Sequence, residues 1–339
     1  MNRRYELDLC RICACVMVLV IHACSGVYHD CPLDSAAFVP LNFISTAVRG
    51  SVPLFFMLSG TLMLDRERLE LRPFLRGHVL RLLGLFCFWS LLYAAGGRVA
   101  SGSFGSLYDF ACSVVAGHYH MWFLSAMIMC YLFMPVLHSA LHGVKLDARW
   151  LSGVLLFTVL LMANFNLTPD PAPLLNRITL NFSFDYLAYL LYIILGWRLG
   201  QMSFGKRTLY TAPAVFLLCA ALASACNRWY SNYRGYADGW LFSYFSLPNF
   251  IMAGALFCFF SALRGHKFRR EKLIRELSDC TLGVYLMHPL VINILERFGI
   301  GIAAARPILG SLGFTALLAL SCFALTYIAR RLPLVRRLL

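Results

Sequence analysis

The chain has 339 residues, 60% of them hydrophobic and 14% charged, with a mean hydropathy of +0.69 and a formal net charge of +14. A soluble chain of this size carries about 25% charged residues, so a soluble globular enzyme is excluded and a polytopic membrane protein is indicated. The positive charge does not point to nucleic acid, because it falls in loops on alternate sides of apolar segments, the orientation signal of a membrane protein.

The first apolar stretch, 7–25, reads LDLCRICACVMVLVIHACS. It is long enough to cross a bilayer, yet it carries Asp8, Arg11 and His22. At about 100° per residue, the step from Arg11 to His22 returns to within roughly 20° of the same direction, about 16.5 Å along the axis. Asp8 and Cys15 fall on the same stripe. An ionisable group near the bilayer centre costs about 3 kcal/mol and marks a functional site by default. The plainer alternative is a snorkelling Arg11 and a histidine packed between helices. No A-x-A cleavage site follows, so a removed signal segment is not expected.

Candidate helices follow at about 7–25, 43–64, 79–97, 119–138, 150–166, 184–200, 208–226, 244–263, 281–296 and 309–329. Placing the N-terminus inside puts most of the 30 Lys and Arg residues on the cytoplasmic side. The expected fold is therefore all-α: a polytopic integral membrane protein of about ten transmembrane helices, both termini cytoplasmic, forming one membrane-embedded domain over 1–339.

The second span contains SVPLFFMLSG, 51–60. Pro53 favours a kink, and Ser59-Gly60 permits close helix approach. A basic stretch leads into the third span with Arg72, Arg76, His78 and Arg81. Guanidinium groups suit bidentate phosphate contacts, although plain orientation charge reads the same way. The fourth span opens with His118, His120 and Trp122, which fit an interfacial belt or a sugar-binding lip. A metal is not expected there, since an i, i+2 pair points apart on a helix.

Longer outer loops are expected at about 26–42, 98–118, 167–183 and 227–243. The last is polar and aromatic together, as suits a carbohydrate ring or a bilayer interface. After the most basic loop, Arg264 to Arg275, either Ser278 or Asp279 reads as a helix cap. His288 then falls inside the ninth span, just before Pro289. The thirteen cysteines are scattered through apolar spans and read as small packing residues. The Cys10–Cys13 pair lacks a second pair, so no zinc or other metal site is expected.

Four of these motifs, in this order, resemble the acyltransferase family 3 of integral-membrane acyltransferases: Asp8, Arg11 and His22; Val52 to Gly60; Trp122, Phe123, Leu124, Tyr131 and Pro135; and Gly283, Tyr285, Leu286, His288 and Pro289. The resemblance runs from end to end. Within the family the chain looks most similar to the enterobacterial-common-antigen type of O-acetyltransferase. It departs in one place: where many members carry an Arg-x-x-Arg pair entering the third span, this chain has His78 and Arg81, with Arg76 two residues earlier.

The resemblance implies transfer of an acetyl group from acetyl-CoA to a hydroxyl of a saccharide, often lipid-linked, at a bacterial inner membrane. His22 is then the expected general base, with Asp8 and Arg11 as a local pair, and Tyr285 and His288 stabilising the oxyanion or orienting the acceptor. Arg11, Arg76 and Arg81 are the expected donor contacts. His120, Trp122 and Ser59 are the expected acceptor contacts. The competing expectation is a transporter or flippase of a lipid-linked saccharide that performs no acyl transfer.

Overall fold

Inside hydrocarbon every backbone N–H and C=O must be satisfied within its own segment, so apolar runs of this length fold as helices. The computed structural model describes residues 3–66, 69–102, 105–143, 150–154, 156, 182–301 and 307–333. Every regular element among them is helical. In chain order the described α-helices of ten residues or more are α1 (Tyr5–His29), α2 (Phe38–Ala47), α3 (Ser51–Met63), α4 (Leu80–Ser101), α5 (Leu107–Ala116), α6 (Trp122–His142), α7 (Leu190–Gln201), α8 (Thr208–Arg234), α9 (Leu247–Ser261), α10 (Glu271–Arg297) and α11 (Pro307–Ala329). Among the described residues, seven helical stretches are long and apolar enough to cross a membrane, and α5 and α9 are shorter apolar helices. The chain is an all-helical, multi-pass membrane protein.

Several expected boundaries move. The second span is two helices, α2 and α3, joined by a 3₁₀ turn at Val48–Gly50. Pro53 sits in the first turn of α3, where its missing N–H costs least. The expected loop 98–118 instead holds α5, opened by a capping box in which Ser106 and Asp109 bond each other's backbone N–H. The expected loop 227–243 is helical as far as Arg234. Neither Ser278 nor Asp279 is a cap, because α10 begins seven residues earlier, at Glu271. Most of span 150–166 and of loop 167–183 lies outside the described residues.

The described residues fall into two compact units. The first draws on Met1–Thr61 and Tyr192–Arg337. Its core sets Cys15, Leu19 and Ala23 of α1 against Val284 and Val291 of α10 and Phe314, Leu318 and Cys322 of α11. Lipid tails are as apolar as these side chains, so close fit and interhelical hydrogen bonds hold such helices together, rather than water exclusion. Gly60 and Gly196 supply the closest fit. A Cβ on Gly60 would overlap the Ile193 carbonyl, and one on Gly196 would overlap the Met57 carbonyl. The Thr61 hydroxyl donates to Gly196 O at 2.6 Å across the same contact. At the His29 end of α1, Asn227 Nδ2 donates to Tyr28 Oη and to Asn42 Oδ1, both at 2.9 Å, and Asn42 donates on to Ser224.

The second unit draws on Leu62–Leu191. There α4 packs on α5 and α6, and α6 packs on a 3₁₀ turn at Phe184–Tyr189. Two histidines of α6 satisfy loop carbonyls: His138 Nε2 donates to Arg66 O at 2.7 Å and His142 Nε2 to Leu64 O at 2.9 Å. All thirteen cysteines are free thiols, mostly buried, as expected for packing residues.

Candidate active site

The stripe on α1 faces α10. Arg11 Nη1 donates to Ser278 Oγ at 3.0 Å, the Cys15 thiol approaches Thr281 O at 3.8 Å, and the rings of His22 and His288 lie 4.5 Å apart. The sequence offset stays at 266 to 267 residues across these contacts, so the two helices run parallel and in register from Arg11 to His22. The axial distance between the two contacts is about 16.5 Å.

The Arg3 end of this seam is a charged cluster. Asp8 is buried, 4% exposed. It is held by Arg3 Nε at 2.6 Å, Arg11 Nη1 at 3.2 Å and Ser278 Oγ at 2.7 Å. Arg3 also reaches Asp279 at 2.7 Å, and Arg330 meets Asp279 at 3.5 Å. Glu6 takes Arg4 at 2.8 Å and Arg264 at 4.0 Å. Burial pulls the Arg3 guanidinium down, but its hydrogen bonds to Asp8 and Asp279 outweigh that and raise it. Five arginines thus meet three carboxylates, and the cluster keeps a positive surplus.

At the other end of the register the local chemistry is set by Pro289. In an unbroken α-helix the Tyr285 carbonyl would accept from the N–H of residue 289, and proline has none. His288 fills the gap, with Nδ1 at 2.7 Å from Tyr285 O. A carbonyl only accepts, so Nδ1 carries the hydrogen. In the neutral ring Nε2 is then the lone-pair nitrogen. His288 is fully buried, and the Tyr285 ring lies 6.1 Å from it.

His22 is half-buried and lines a pocket of about 740 Å³. Ala36 and Asp30 from the segment after α1, Ile292 and Glu296 of α10, and Phe314 of α11 form its other walls. His22 therefore touches a buried histidine on one side and a space large enough for a small ligand on the other.

Ser59 is buried, and its hydroxyl donates back to Phe55 O at 3.0 Å. The other candidates, Arg76, Arg81, His120 and Trp122, belong to the second unit. Arg76 and Arg81 are exposed. The chain there forms a π turn, Leu75–Val79, closed by Leu80 N–H to Leu75 O. Positions five apart diverge by about 140° on an α-helix, and the wider turn reduces that divergence. His78 turns inward instead. Its Nδ1 lies 3.1 Å from Phe74 O and its ring stacks on Phe74.

His120 is buried, and Trp122 packs beside Tyr186 and Tyr189. The expectation that His118 and His120 point apart is corrected. A 3₁₀ turn, Tyr119–Met121, replaces the α-helix there, and their Nδ1 atoms come within 2.9 Å. One donates and the other accepts, so the pair holds opposite tautomers. Tyr93 stacks on His118 at 4.2 Å, and burial lowers the His118 pKa.

Residues 4–331 match the family model described as an acyltransferase domain. The chain belongs to the acyltransferase 3 family. An amino-acid racemase of Enterococcus faecalis is 25% identical over 314 residues, covering 87% of this chain and 42% of that protein. The chain thus spans less than half the length of that relative. No solved structure matches.

The structure adds residues that motif reading missed. Arg3, Ser278, Asp279 and Arg330 surround the Asp8–Arg11 pair, and Asp30 and Glu296 flank the pocket at His22. Their signal was in the sequence only as isolated polar residues, because the register of α1 on α10 is a tertiary fact.

Proposed function

We propose that this chain is an inner-membrane O-acetyltransferase of the enterobacterial-common-antigen type, moving acetyl from acetyl-CoA to a hydroxyl of a lipid-linked surface saccharide. The observation that carries the proposal is the placement of His22, which stands against His288 at 4.5 Å and also lines the 740 Å³ pocket. In this reading the Arg3 end of α1 is cytoplasmic, and its surplus positive charge attracts the donor's phosphates. Arg76 and Arg81 are further donor contacts, and His120, Trp122 and Ser59 act on the acceptor side. The whole chain works as one membrane-embedded domain.

The acceptor enters the pocket with its hydroxyl toward His22. The imidazole takes the hydroxyl proton as the oxygen attacks the thioester carbonyl carbon. The carbon–sulfur bond then breaks, and the thiolate leaves with the proton held by His22. His288 and Tyr285 stabilise the oxyanion or hold the acceptor. Purified protein given labelled acetyl-CoA and a lipid-linked saccharide should label the saccharide. The name of the Enterococcus faecalis relative makes free amino acids the comparison acceptor. Absence of both transfer and donor hydrolysis would favour a transporter.

A further inference from the structure

We propose that the groove between α2 and α8 binds one anionic phospholipid, with its phosphate at Arg228 and an acyl chain along the groove floor. The groove holds about 700 Å³ and is separate from the His22 pocket in its lining residues. Val39 and Phe43 of α2 and Ala221 and Ala225 of α8 make an apolar floor, and Arg228 and Asn232 close one end. On α8 the lining positions Ala221, Ala225, Arg228 and Asn232 form one helical stripe. The stripe is small and apolar for one turn, then cationic and amide-bearing.

Depth follows from helix length. From Thr208 to Arg228 the rise is about 30 Å, the thickness of the hydrocarbon core. Lys206 and Arg207 precede Thr208. With those two at one headgroup layer, Arg228 reaches the other. Trp229, 67% exposed and also lining the groove, is a residue type that belongs at that level.

The charge is also right for a phosphate. A guanidinium offers a planar fork to two phosphate oxygens, and Asn232 adds an amide donor one turn on. No Asp or Glu is among the residues lining the groove. Asp238, at the same end of α8, is taken by Arg234 at 3.8 Å. A headgroup with a net negative charge is therefore favoured over a zwitterionic one, by roughly fivefold for a single interfacial cation.

The test uses the full chain, purified and delipidated in detergent. It is titrated with phosphatidylglycerol or with phosphatidylcholine of the same acyl chains, and bound lipid is counted by native mass spectrometry. Phosphatidylglycerol should be retained about fivefold better. Arg228→Gln, at an exposed position, should bring it down to the phosphatidylcholine level without moving the thermal midpoint. Ala225→Leu, which fills the floor, should reduce retention of both lipids. Inorganic phosphate in excess should displace neither, because the acyl chain anchors them. Equal retention by the wild type, an undiminished preference in Arg228→Gln, or displacement by inorganic phosphate would overturn the proposal. If Ala225→Leu fails to fold, the Arg228→Gln comparison decides alone.

Discussion

The imidazole of His288 occupies the hydrogen-bonding place that Pro289 leaves open on the Tyr285 carbonyl, at 2.7 Å. The His-Pro dipeptide is therefore one device. The proline frees a carbonyl, and the histidine takes it and so fixes which ring nitrogen bears the hydrogen. With His22 at 4.5 Å, that choice sets the nitrogen His288 can offer as an acceptor.

Pro289→Ala tests the device. The alanine N–H competes for Tyr285 O and releases His288 to change tautomer. Thermal stability should hold or rise, since proline inside a helix costs about 3 kcal/mol. The turnover rate for acetyl transfer should nevertheless fall, by about tenfold or more, with little change in the KM for donor. Unchanged turnover would separate the dipeptide from the chemistry.

Asp8 anchors the Arg3 end of the seam. Removing one member of a buried ion pair costs about 3–5 kcal/mol, and the partial exposure of Arg3 and Arg11 argues for the lower end. Asp8→Asn should therefore lower the unfolding free energy by about 3 kcal/mol. Ser278→Ala, which removes one hydroxyl from the same carboxylate, should cost about 1 kcal/mol. Denaturant titration in a fixed detergent would rank the two. Equal losses would mean that Asp8 is not the hub.

The His118–His120 pair predicts a pH effect on stability. Burial lowers the His118 pKa, so the folded protein resists a proton that the unfolded chain accepts. Above the ordinary imidazole value of about 6.5 both states are neutral and there is no penalty. As pH falls through that value stability is lost, until the depressed folded value is reached. The thermal midpoint should drop as pH is lowered below about 6.5, and His118→Gln should flatten that drop. A wild-type midpoint constant over this range would contradict it.

How much of this was legible depended on distance along the chain. The α1 stripe was readable, because the helical period alone puts Asp8, Arg11, Cys15 and His22 on one face. Its partner face was not. His288 was visible as an intramembrane histidine, but the parallel register that sets it against His22 comes from packing. Ser278 and Asp279 look like a cap, since Ser and Asp are strong N-cap residues. The preceding amphipathic run from Glu271 is itself helical and overrides that signal. Helix α5 had a local signature, the capping box from Ser106 to Asp109, hidden in a segment that otherwise reads as loop. The π turn before α4, Leu75–Val79, breaks the period on which face assignments rest, so the facing of Arg76 relative to Arg81 was out of reach.

His22 carries the catalytic proposal, and one measurement tests it most directly. Wild-type protein and His22→Ala, matched for membrane insertion and thermal midpoint, are each given labelled acetyl-CoA and a lipid-linked saccharide acceptor, and the initial rate of label transfer is recorded. A positioned base contributes about 10²–10⁴-fold, so transfer by His22→Ala should fall by at least about 100-fold while the protein stays folded. Transfer at the wild-type rate in a folded His22→Ala protein would contradict the assignment of His22 as the base.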